Sequence, residues 1–429
     1  MNGEQDNIAY VGNREVWGVT RPFGLSRADR SQHLLALGKT GTGKTTMLRN
    51  LLVHEIAAGE GVALIDPHGD LSEELLDLIP SWRSRDVVYL NVQDRNFPIA
   101  FNPLHGHDRE AAPLVASAIV GSMKNFWADS WGPRLEFFLY SAVAALAECE
   151  NTTLLGVHRL FFDERYRQWV VKQVRDPAVK NFWIEFENYD KRFLTEALSP
   201  IENKIGRLLM SPISRNLLGQ ISRAIDLRKI MDRRGILLVN LAKGRIGEDQ
   251  ANLIGSLLIS QFEQAALSRA DTSLENRIRF FLVIDEFQNF LSDSFSSMLS
   301  ESRKYGLSVT LSTQFLANVR EEIRAAVLGN VGNIVSFRVG AGDARVLEQE
   351  FGETYPAEQF TDLPNHEVLV KLNGSGEYRE PFHGKTLPAQ GTFYGRRDRL
   401  IRSSRERYAT ARSVAEEKIG RWMAGKLSL

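Results

Sequence analysis

His33-Leu34-Leu35-Ala36-Leu37-Gly38-Lys39-Thr40-Gly41-Thr42-Gly43-Lys44-Thr45-Thr46 joins a compact apolar run to a loop of glycine and threonine. Residues with helical spacing (Met47, Leu51, Leu52, Ile56) follow through Ala58. Gly38–Thr45 fits the pattern G-x-x-x-x-G-K-[ST], set where its mechanism requires it, between a buried strand and a helix. The glycines let backbone N–H groups turn inward around phosphate oxygens, and the helix N-terminus adds partial positive charge. In such a loop Lys44 reaches the β- and γ-phosphates and Thr45 places its hydroxyl on Mg²⁺, with Thr40, Gly41, Thr42, Gly43 and Thr46 completing the cradle. The expected ligands are ATP and Mg²⁺.

The second half of such a site is a carboxylate pair. Phe280-Phe281-Leu282-Val283-Ile284-Asp285-Glu286 supplies it: five apolar residues make a strand buried on both faces, so the acids emerge at the ligand edge of a parallel sheet. Asp285 suits the Mg²⁺ shell, and Glu286 suits a general base that polarises the attacking water. Asp66 competes for the metal position because Val62–Ile65 also ends in an acid. It lies on the first strand after the phosphate-loop helix, precedes Pro67 and has no glutamate beside it, so it reads as a strand-end residue near the site. The strand Ser308–Thr313 ends in Gln314, an amide placed to sense the γ-phosphate. Arg303, eleven residues before it, is a candidate for the arginine that one subunit lends to a neighbour's γ-phosphate.

Around these motifs the chain alternates strands and helices. Residues 1–32 read as strands and turns, Asp86–Val92 as a third strand, and Gly235–Leu241 and Asn333–Val339 as later ones, with Glu248–Leu267 a long helix. From about Glu110 to Lys229 helical periodicity takes over (Arg134–Glu148, Phe161–Val174, Ile201–Leu218). The fold class is therefore α/β, a mostly parallel sheet flanked by helices with an inserted all-α domain. The expected boundaries are 1–108, 109–230 for the insert, 231–392, and 393–429 for a tail. That tail begins with an arginine cluster (Arg396, Arg397, Arg399, Arg402, Arg405, Arg407). An amphipathic helix with Tyr408, Ala411, Ala415, Ile419, Trp422 and Met423 on one face follows, expected to dock on its own subunit.

Composition excludes several classes. Lys plus Arg equals Asp plus Glu, 53 each in 429 residues, so no global field draws the molecule onto nucleic acid; positive charge concentrated in a channel remains compatible. The single cysteine, Cys149, allows no disulfide or cysteine-based zinc site within one chain and reads as a buried thiol. His105 and His107 read as loop. Met1–Asn7 is polar and acidic, unlike a secretory signal, and no apolar stretch approaches the roughly 18 residues of a spanning helix. A cytoplasmic protein is expected, with any link to the inner membrane made through a partner.

Four pieces together resemble a known group: Gly38–Thr46, then Ala63-Leu64-Ile65-Asp66-Pro67-His68-Gly69-Asp70, then Asp285-Glu286, then Ser312-Thr313-Gln314-Phe315. They resemble the HerA/FtsK superfamily of ring ATPases, most of all the TraG/TraD-like coupling proteins of conjugative type IV secretion. Trp131-Gly132-Pro133-Arg134 and Leu238-Val239-Asn240-Leu241-Ala242-Lys243-Gly244 read the same way, so the likeness runs from about residue 30 to 385. It implies a RecA-like motor domain, a homohexameric ring with ATP between subunits, and DNA held through its backbone with little sequence preference. A relaxase or the secretion machinery would be the partner. Membrane-bound members begin with transmembrane helices and this chain shows none, which leaves a HerA-like cytosolic DNA translocase, or a secretion-assembly ATPase acting on protein cargo, as alternatives. Arg165, Arg167, Lys172, Arg175, Lys204 and Arg207 in the helical insert are candidates for facing DNA or cargo.

Overall fold

The computed structural model describes residues 8–104, 108–127, 130–221, 225–291, 293–317, 319–373 and 379–425; the statements below concern these residues. His105 and His107 lie outside them, as does the side chain of Arg207.

Eleven strands form one sheet: β1 (Ala9–Val16), β2 (Val19–Leu25), β3 (Leu34–Leu37), β4 (Gly61–Asp66), β5 (Val87–Asn91), β6 (Ile236–Asn240), β7 (Phe280–Ile284), β8 (Leu307–Thr313), β9 (Asn333–Ser336), β10 (Glu367–Lys371) and β11 (Phe382–Thr386). Their order across the sheet is β2-β1-β11-β10-β9-β3-β8-β7-β4-β6-β5. From β9 to β5 every pairing is parallel. β10, β11, β1 and β2 extend one edge in antiparallel fashion. The sequence reading missed β10 and β11. Each is five residues long, and the Phe382-His383-Gly384-Lys385-Thr386 pattern carries little apolar signal.

β3, β4, β6 and β7 are buried along their whole lengths because helices cover both faces. Period-2 alternation sorts their side chains between two cores. On one face Ala36, Leu64, Leu238 and Val283 pack with Leu48, Leu52 and Leu75 of the helices Lys44–Ala57 and Asp70–Leu76. On the other, Leu37, Ile65, Val239 and Ile284 join Leu257 and Phe262 of the helix Glu248–Leu267.

Between β5 and β6 every element is helical. This segment packs around an aromatic cluster in which the Phe138 and Phe182 rings lie 5.3 Å apart, as do those of Phe161 and Trp183. Its core runs without a break into the second face of the sheet. Two long helical periods are split by local chemistry. Asp163 ends Gly156–Phe162 and caps Glu164–Val171 through the Tyr166 N–H at 3.1 Å. Ser211 followed by Pro212 starts a new helix after Lys191–Met210.

The tail corrects the sequence reading in detail: the arginine cluster is itself a helix, Arg397–Tyr408, and a second, Arg412–Met423, follows a break at Ala409, which bridges to Ile99. Both dock on their own chain. Arg405 pairs with Asp94 at 2.7 Å, Arg407 donates to the Val87 carbonyl at 2.6 Å, and Arg159 lies between the Tyr166 and Trp422 rings. Cys149 is buried, its thiol pushed up to about 12 chiefly by burial. No described helix is long and apolar enough to cross a membrane.

Candidate nucleotide-binding site

The loop after β3 is held from both sides. The Gly38 N–H donates to the Thr313 carbonyl at 3.3 Å, and the Lys39 N–H donates to the Arg338 carbonyl at 2.8 Å. Gly43 has φ +118°, and a Cβ there would come within 2.9 Å of His366 Nδ1 and 3.1 Å of the Phe337 ring, so only glycine fits. His366 is fixed in turn by its N–H, which donates to the Thr42 carbonyl at 2.9 Å. Lys44 opens the helix Lys44–Ala57, and its buried ammonium donates to the carbonyls of Gly38 and, at 3.2 Å, Lys39. Burial pulls its pKa down, while Asp285 and Glu286 act in the opposite direction. Thr45 is exposed at the mouth of the loop.

Because β8 separates β3 from β7, the tips of these strands and of β4 stand in a row. Burial raises the Asp285 carboxyl above its ordinary value; the Ser312 hydroxyl opposes the rise, and the charges of Asp66 and Glu286 add to it. Glu286 sits in the left-handed region at φ 47°, ψ 49°, a conformation disfavoured for a residue with a side chain. Its Oε1 accepts from Gln314 Nε2 at 2.8 Å, and its Oε2 lies 3.2 Å from His68 Nε2 and 3.3 Å from Asn289 Nδ2. Gln314 Oε1 accepts from the Thr40 hydroxyl at 2.8 Å.

Asp66 is occupied differently. Its Oδ1 accepts from the His68 and Gly69 N–H groups at 3.0 and 2.8 Å, and its Oδ2 from the Ser72 N–H at 2.9 Å. The last of these bonds satisfies a first-turn N–H of the helix that starts at Asp70, whose N-cap position is Gly69. Gly69, at φ +98°, cannot be replaced without strain, since a Cβ would fall 2.2 Å from the Asn240 side chain. The two sequence stretches Asp66–Asp70 and Leu238–Gly244 therefore meet at this point.

The structure thus gathers Lys44, Asp285, Glu286, Gln314 and Thr40 at one edge of the sheet. It does not bring Arg303 there. That guanidinium bonds Gln32, which precedes β3, so it stands at the opposite end of the strands. Sequence reasoning missed His68, Asn289 and His366. The first lies within a stretch already singled out; the other two carry no local signal. Of the six insert cations, Arg167 bonds the Leu160 carbonyl and stacks on Phe186, and Lys204 bonds Ser130, so both serve packing; Arg165, Lys172 and Arg175 are exposed.

A phosphate chain with its magnesium fits these residues. The loop offers backbone N–H groups and an ammonium, Asp285 is a half-buried carboxylate with few donors, and the buried Ser312 Oγ beside it lacks a well-aligned partner. Among the described residues no group of three or more His, Cys, Asp or Glu forms a metal cage.

Strand order, loop and paired acids define a RecA-like P-loop nucleotide-binding unit. The chain belongs to the family described as Helicase HerA, central domain, which matches residues 25–262, more than half its length; residues 279–357 match the TraM recognition site of TraD and TraG. The type 4 coupling protein DotL of Legionella pneumophila is 21% identical over 388 residues, covering 76% of this chain and 49% of DotL, so the chain spans about half the length of that curated relative. Among solved structures, the plasmid coupling protein TrwB in complex with ADP and Mg²⁺ superposes with a TM-score of 0.60 at 16% identity, covering 90% of this chain and 92% of that one. VirB4 of Thermoanaerobacter pseudethanolicus gives 0.60 at 15%, covering 91% and 98%. At these identities the likeness is one of fold.

Proposed function

We propose that this chain is an ATP-hydrolysing ring motor of the type IV secretion coupling-protein kind, which moves DNA. The meeting of Lys44 with Asp285, Glu286 and Gln314 across neighbouring strand tips is the observation that carries this reading. The family match and the names of the relatives support it. In the proposed reaction Lys44 and the loop N–H groups hold the β- and γ-phosphates. Glu286 accepts a proton from a water, whose oxygen bonds to the γ-phosphorus as the bridging oxygen leaves with ADP. Magnesium, held by Thr45 and Asp285, would neutralise charge on the β- and γ-phosphate oxygens. Gln314 touches both Thr40 and Glu286, and so reports the γ-phosphate to β8. Arg303, remote from the site of its own subunit, serves the nucleotide of a neighbour in a homohexamer. DNA is gripped through phosphates, so affinity falls steeply with salt.

The test is ATP turnover on size-resolved assemblies, with and without single- and double-stranded DNA. DNA stimulation that fades with salt is expected; stimulation by polypeptide cargo alone would favour the protein-secretion alternative. Lys44→Ala should abolish turnover with the fold intact. Glu286→Gln should keep nucleotide binding while losing turnover by about 10²–10⁴-fold. Residual turnover near the wild-type rate in either variant would overturn the site assignment.

A further inference from the structure

The contacts around Glu286 form an ordered series. Thr40 follows β3, Gln314 follows β8, Glu286 follows β7 and His68 follows β4, and β3-β8-β7-β4 is the order of these strands in the sheet. The Thr40 hydroxyl donates to Gln314, the Gln314 amide donates to one oxygen of Glu286, and His68 Nε2 meets the other. The loop that presents His68 is fixed at both ends of the contact. Asp66 binds the His68 N–H itself, and Gly69 packs against Asn240, whose side chain also donates to the Tyr89 hydroxyl at 3.0 Å. The His68 side chain is 53% exposed, so it is not a packing residue. A general base works only if its carboxylate is held at the proton it must take, and a glutamate carboxylate otherwise turns freely about its last torsion.

We propose that His68 is a positioning residue for hydrolysis. Its Nε2–H, beside the Asn289 amide at 3.3 Å, clamps one oxygen of Glu286 while Gln314 clamps the other, which fixes the plane of the carboxylate. The stretch Asp66–Asp70 is then a device for presenting that imidazole: the aspartate ties down the loop, the glycine permits its turn, and the histidine reaches across to β7. This rests on the reading of Glu286 as the base.

Steady-state ATP hydrolysis by the assembled full-length chain tests it. His68→Ala should lower kcat about tenfold, leave KM for ATP and the Kd of a fluorescent ATP analogue within about twofold, and leave the melting temperature unchanged. His68→Gln, which restores an N–H donor, should recover much of the loss, and His68→Phe none. A crystal structure of His68→Ala should show the Glu286 carboxylate turned away from Gln314. Wild-type kcat in His68→Ala, a parallel rise in KM and Kd, or equal losses in the Ala and Gln variants would overturn the proposal. Wild-type turnover in Glu286→Gln would instead remove the base assignment on which it stands, a distinct failure seen in a different variant.

Discussion

β4 and β7 lie side by side, and each closes an apolar run with an aspartate, yet the two carboxylates live in opposite surroundings. Asp66 is 2% exposed and takes three backbone N–H donors, two on one oxygen and one on the other. Asp285 accepts one backbone N–H, that of Glu286 at 3.1 Å, and is pushed toward its neutral form by burial and by two acidic neighbours. The number of donors separates a carboxylate that builds the fold from one left short of positive charge. Position at a strand end does not.

The largest effect should come from exchanging these roles in activity. Asp285→Asn should reduce ATP turnover on the order of 10³-fold, since a pre-placed charge at the phosphates is lost. Asp66→Ala should leave turnover within about tenfold of wild type once the fold is intact. Turnover measured on both at saturating magnesium decides it; a silent Asp285 beside a dead Asp66 would reverse the assignment.

Stability should rank the pair the other way. Removing the Asp66 carboxylate strands three N–H groups at a helix start, where each charge-assisted bond matters. A loss of roughly 3 kcal/mol in urea unfolding is expected. Asp66→Asn, which keeps an acceptor, should lose less. Equal stability of Asp66→Ala and wild type would show that water replaces the carboxylate without cost.

What the sequence made legible follows the same line. The phosphate loop, the acidic pair and the parallel strands were readable because buried strands are apolar runs and their tips face the ligand. The reading of Asp285 rather than Asp66 as the metal residue came from chain order, from Pro67 and from the lack of a glutamate beside Asp66, whereas the donors that occupy Asp66 exist only in three dimensions. His68 was quoted as part of a telling stretch without a role, because its partner Glu286 is more than two hundred positions away. β10 and β11 escaped notice since strands of five residues with mixed polarity have weak periodicity. His366, which sits on Gly43, went with them. The tail helices were misdivided because an arginine-rich helix that docks through Leu400 and Ser404 lacks an apolar stripe.

The smallest predicted effect is also the one with the most telling sign. The folded-state pKa of Asp285 is raised above 3.8. Protonation of this group therefore favours folding below 3.8, and that contribution is lost as pH rises through the raised value. At pH 7, well above 3.8, the under-donated Asp285 carboxyl therefore costs the nucleotide-free protein stability. Asp285→Asn should melt about one or two degrees above wild type at pH 7, and the gap should close as pH is lowered toward 4. Adding ATP with magnesium should reverse the ranking, because only wild type then has a charge for the cation to meet. If Asp285→Asn instead melts as far below wild type as Asp66→Ala, both aspartates are structural, and the contrast between the two strand ends disappears.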